Sequence, residues 1–148
     1  MRFMMIVKAS KESEAGVLPA KELIDAMGRF NEEMVKAGVM LAGDGLQASS
    51  KGARVKFSQG KRTVVDGPFA ETKELIAGFW IIQVKSKAEA IEWASRCPAP
   101  HGPNADAEIK IRQLFDISDF PAEVVSPEAA GREQALREEL EKRQGEKP

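Results

Sequence analysis

Between Asp66 and Glu74 the chain reads Asp-Gly-Pro-Phe-Ala-Glu-Thr-Lys-Glu, crowding carboxylates and an ammonium around a rigid turn. Side chains of these types carry acid–base and ion-binding chemistry. Asp66 is the first candidate for a general acid or base, Glu71, Lys73 and Glu74 are placed to edge a pocket, and Phe69 can wall it. Asp-Gly is a turn dipeptide, and Pro68 drives Gly67 out of the helical region, so the chain leaves its strand in a defined direction. Farther on, Glu108-Ile109-Lys110-Ile111-Arg112 alternates polar and apolar. If the isoleucines pack on helices, alternation sends Arg112 to the opposite side, where its planar fork suits a carboxylate or phosphate. Trp80 is a second candidate for an apolar wall.

Each of these residues also has a plain structural reading. Asp66 can bind backbone donors of its own turn, Lys73 can pair with a glutamate on a solvated face, Arg112 can join an ion pair across a dimer, and Trp80 and Trp93 read as core. Burial near a second carboxylate would raise the pKa of Asp66 and a neighbouring Arg112 would lower it, so its protonation state stays open. His101, the single histidine, reads as a solvated loop residue, and Cys97, before Pro98 at a helix end, as a small apolar filler.

The elements that must position these groups follow from periodicity. Arg2 to Val7 is a short apolar run expected as a central strand. From Pro19 to Ala37, Leu23, Met27, Phe30 and Met34 recur at helical spacing, with Gly38 placed to end the helix. Val39 to Ala42 reads as a strand and Gly43-Asp44-Gly45 as a bend. Arg54–Ser58 and Thr63–Val65 form a hairpin whose exposed face is expected to be polar. Gly78 to Val84 is apolar on both parities, so both of its faces should be covered. Ser86-Lys87-Ala88-Glu89 is a capping box opening a second helix that Pro98 stops, and Glu108 to Arg112 is the last strand. This order predicts an α+β, ferredoxin-like layer with two helices on one side of a sheet. The other face, apolar along two strands, calls for a cover, and a second copy packed sheet to sheet is the economical one. Residues 1–120 form the expected domain. Residues 121–148 read as a charged helical tail that Ser126 caps and Pro127 opens.

Composition bounds the rest. A chain of 148 residues, 43% hydrophobic, suits one compact domain, and 22 Lys plus Arg against 23 Asp plus Glu lack the basic excess of a nucleic-acid binder. One cysteine permits no internal disulfide, and one histidine and one cysteine cannot build a closed zinc site, although oxygen-ligand metal binding stays open. No secretory segment or membrane-length apolar run is evident, which makes the cytoplasm the default expectation.

The stretch DGPFAETKE also resembles the signature of the YCII-related (YciI-like) family, in its DGPF-domain branch. Phe30-Asn31-Glu32-Glu33, Gly43-Asp44-Gly45-Leu46, Gly78-Phe79-Trp80 and Ala88 to Ala94 resemble further family blocks in the family order, so the likeness extends from Met1 to about Phe120. The resemblance implies a dimeric α+β barrel and a homodimer. It also implies a link to extracytoplasmic-function sigma factors, and hence a sigma factor among the candidate partners. It does not carry over the histidine–aspartate pair proposed for some relatives, because His101 lies outside every matching block. The resulting expectation is a homodimer that binds a small polar or anionic molecule between its sheets and performs cofactor-free acid–base chemistry on it. The alternative is a non-catalytic binding or regulatory module associated with a sigma factor.

Overall fold

The computed structural model describes residues 1–146. Four strands, β1 (Arg2–Lys8), β2 (Met40–Gly45), β5 (Ile76–Gln83) and β6 (Ile109–Gln113), form an antiparallel sheet in the order β2-β5-β1-β6. The chain runs strand, helix, strand, hairpin, strand, helix, strand, which is the ferredoxin-like α+β arrangement. Strands β3 (Ala53–Ser58) and β4 (Lys61–Asp66) pair only with each other. The helices are α1 (Lys11–Glu14), α2 (Lys21–Lys36), α3 (Lys87–Arg96) and α4 (Pro127–Gly145). The short α1 leaves no periodic signal; Ser10 and Ser13 cap each other to form it.

One sheet face holds the core. Phe3, Met5 and Val7 of β1, with Trp80 and Ile82 of β5, are buried against Phe30 and Met34 of α2 and Ala90 and Trp93 of α3, and Ile109 and Ile111 pack on the same cluster. Phe30 meets Trp80 edge to face with ring centroids 5.7 Å apart. Gly38, at φ 70°, adopts the left-handed conformation that ends α2. On α3, the Ser86 hydroxyl accepts from the Glu89 amide while the Glu89 carboxylate accepts from Lys85 N.

Within residues 1–114, no helix packs on the opposite face. Register places Ala42, Ile81, Met4 and Arg112 in one row and Asp44, Phe79, Ile6 and Lys110 in the next. Alternation along β1 adds Arg2 and Lys8 to this side. Within one chain one face of β1 and β5 is buried and the other is mostly half-buried.

Two expectations are corrected. Gly43-Asp44-Gly45 is no bend but the end of β2, paired with Trp80, Phe79 and Gly78. A β-carbon on Gly43 would lie 2.6 Å from Cδ1 of Trp80, so glycine here makes room for the indole. The hairpin does not present a purely polar surface. Val55, Phe57 and Val64 share one face and are 53%, 70% and 66% exposed, because no layer lies beneath this two-stranded sheet.

A second compact unit begins at Phe115. Within it the Phe115 and Phe120 rings stack 4.9 Å apart, Ser126 caps α4, and no residue of that helix is buried. Ion pairs Glu133–Arg137 and Glu139–Arg143, each at 2.9 Å, brace its solvated surface. Among the described residues, no helix is long and apolar enough to cross a membrane.

Candidate functional site

The 66–74 turn is fixed from below by a serine and a glutamate distant in sequence. Glu14, at the end of α1, accepts from the Ser49 amide at 3.1 and 3.3 Å through its two carboxylate oxygens, and the Ser49 hydroxyl donates to Oε2. That hydroxyl accepts in turn from the Phe69 amide at 2.9 Å. Beside it, Gly67 N donates to the Gly52 carbonyl at 3.0 Å, and the Gly67–Pro68 peptide bond is cis. The backbone of Gly67 runs so close to Ser49 that an added β-carbon would lie 1.8 Å from its carbonyl oxygen. Glycine is therefore required by close approach rather than by an unusual φ. The far end of the turn is tied to the sheet, since Ala9 N donates to the Leu75 carbonyl at 3.0 Å.

Arg54 of β3 clasps the turn from the hairpin side. Its guanidinium lies 3.8 Å from the Phe69 ring centroid and 3.3 Å from Glu71 Oε2. Hydrogen bonding to its own backbone amide, followed by the Arg54 contact, holds the Glu71 carboxyl below its ordinary pKa. Beneath these contacts is a cavity of about 310 Å3 lined by Glu14, Leu46, Ser49, Phe69, Leu75 and Ile76, among others.

The turn thus brings together Phe69 and Glu71 of the expected site residues. Asp66 ends β4, exposed, its backbone paired with Ala53; Lys73 and Glu74 are exposed on the turn, and none of the three lines the cavity. Arg112 lies on the helix-free sheet face, as strand alternation requires, opposite Met4. Trp80 does not wall this site. It is 7% exposed on the helix-covered face, and its indole Nε1 donates to Asn31 Oδ1 at 2.8 Å. Parity along β5 decides this, since Trp80 shares its face with buried Gly78 and Ile82.

Glu14, Ser49 and Arg54 are the groups that sequence reading missed. No local pattern marks Glu14 and Ser49, which are 35 residues apart. Arg54 has one legible signal, its place on a strand leading into the turn. His101 is also reassigned: half-buried, its Nε2 lies 2.8 Å from the Lys8 carbonyl, so it donates there and pins the proline-rich loop to β1. Cys97 packs on the core with Sγ 3.8 Å from Met27 Sδ, and burial pushes its thiol up to about 12. Among the described residues, no three His, Cys, Asp or Glu side chains are grouped to hold a metal ion.

Residues 1–114, the whole first compact unit, match the YCII-related domain. The chain belongs to the YCII-related family. An uncharacterised protein of Rhizobium meliloti (strain 1021) is 31% identical to it over 96 residues, covering 65% of this chain and 77% of that relative. The turn and its cavity lie wholly inside the matched residues 1–114.

Proposed function

We propose that this YCII-related protein is a homodimer whose helix-free sheet faces pack together and enclose a small anionic molecule. The observation that carries the reading is the make-up of that face. Met4, Ile6, Phe79 and Ile81 form an apolar centre, while Arg2, Lys8, Lys110 and Arg112 outnumber the carboxylates Asp44 and Glu108 on the same side. Burying the apolar centre favours association. Bringing two such cation-rich faces together opposes it, because like charges a few ångströms apart repel strongly once water is displaced. A carboxylate or phosphate between the sheets relieves that repulsion. Among the described residues Arg112 makes no salt bridge, and its fork is suited to bind such a group.

In this reading Asp66, exposed at the end of β4, is assigned the role of acid or base, and the reaction class is cofactor-free proton transfer on the bound anion. The test is a titration of the protein with inorganic phosphate and with succinate, followed by calorimetry and by sedimentation. Binding should tighten the dimer through mass action, and Arg112→Gln should weaken it by about tenfold or more. Binding unchanged in that variant removes Arg112 from the site. Asp66→Asn should leave the anion bound while abolishing turnover of any substrate found.

A second reading, a non-catalytic module that engages an acidic protein such as a sigma factor, is favoured by the hairpin. Its uncovered Val55, Phe57 and Val64 share their face with Arg62, whose guanidinium lies over the Phe57 ring, while Lys56 and Lys61 are on the other face.

A further inference from the structure

We infer that the cavity beneath the 66–74 turn is a separate binding site for a small aliphatic amine in its ammonium form. Its volume, about 310 Å3, falls at the lower end of the range for ligand pockets, roughly 300–1,000 Å3, and suits a small molecule. Leu46, Phe69, Leu75 and Ile76 give it apolar walls suited to a short hydrocarbon stem. Glu14 contributes the carboxylate.

The state of Glu14 decides the ligand's charge. Ser49 fixes the carboxylate with its amide and hydroxyl, but these neutral donors orient the charge without cancelling it. A carboxylate offers about four acceptor positions, so capacity remains after Ser49 is served. Among the described residues Glu14 makes no salt bridge, even though Lys51 lines the same cavity. A half-buried carboxylate facing apolar walls, held in place and without a salt bridge, is a receptor for an ammonium group. An anion would meet repulsion at Glu14, and within this lining only Lys51 would attract it. This inference is separate from the anion site on the sheet face: Ile76, paired with Lys8, borders both, but neither Lys110 nor Arg112 lines the cavity.

The experiment is a backbone amide NMR titration of the full chain with n-butylammonium, butyrate and n-butanol in parallel. The ammonium should give saturable shifts at the Ser49 and Phe69 amides. Butyrate should give none there, and butanol should bind at least about tenfold more weakly because it lacks the charge-assisted bond. In Glu14→Gln the preference for ammonium over butanol should vanish. Equal binding of butyrate, equal binding of butanol, or no saturable shift at Ser49 and Phe69 would each overturn the inference, and the wild-type comparison stands even if the variant fails to fold. Phosphate shifts are read at Lys110 and Arg112, so failure of either site is seen independently of the other.

Discussion

The Phe69 amide donates to the Ser49 hydroxyl at 2.9 Å, and through that one oxygen the turn at 66–74 is linked to the carboxylate of Glu14. Ser49→Ala removes both hydroxyl contacts while keeping the backbone amide that also reaches Glu14. The part-buried Phe69 N–H then loses its acceptor, so stability should fall by about 1–3 kcal/mol. Hydrogen exchange should locate the loss: the Phe69 amide exchanges faster while the Met5 and Ile82 amides keep their protection relative to global unfolding. Unchanged exchange at Phe69 would show that the clip does not hold the turn.

Gly67 and Gly28 should respond to alanine with opposite signs. At Gly67 the new methyl would lie 1.8 Å from a backbone oxygen, which cannot swing aside as a side chain can, so the variant should lose about 1–3 kcal/mol. At Gly28, inside α2, the methyl meets nothing within 4 Å, and helix propensity should add about 0.5–1 kcal/mol. Urea unfolding of the two variants beside the parent checks both signs.

How much of this was legible in the sequence depends on the range of the contact. Helical spacing located α2 through Phe30 and Met34, and the Ser86–Glu89 pattern located the start of α3, because both are signals within a few residues. Alternation put Arg112 on the helix-free side for the same reason. Gly43 and Gly45 misled because a glycine pair reads locally as a bend, whereas the neighbouring strand β5 makes them ladder residues with Trp80 fitted against Gly43. Trp80 was legible as core but equally as a pocket wall, and only its parity with Gly78 and Ile82 separates the two. Glu14 and Ser49 were beyond reach, since nothing within either segment states that the fold will bring them together.

The place of Trp80 has its own consequence. Trp80→Phe removes the donor to Asn31 and leaves a gap beside Phe30, which should cost about 1–3 kcal/mol. Affinity for phosphate or n-butylammonium should not change, because the indole lies on the helix-covered face. A change in either affinity with the fold intact would return Trp80 to the site.

Cys97 gives a pH signature. Burial holds its thiol up at about 12 against an ordinary 9.0, so the native state keeps a proton that the unfolded chain releases across this window. The thiol's contribution to stability is intact below pH 9 and is lost as the pH rises from there towards 12. Melting temperature should therefore fall more steeply above pH 9 in the parent than in Cys97→Ala, and parallel curves would refute the burial of the thiol.

The central claim is that a second copy covers the sheet face centred on Met4, Ile6, Phe79 and Ile81. Sedimentation velocity on the parent and on Ile81→Asp, with phosphate present, tests it most directly, because Ile81 sits between Met4 and Ala42 on that face and outside the buried core. The parent should sediment as a dimer and the variant as a folded monomer. A parent that sediments as a single chain at micromolar concentration, or a variant that remains dimeric, would contradict it.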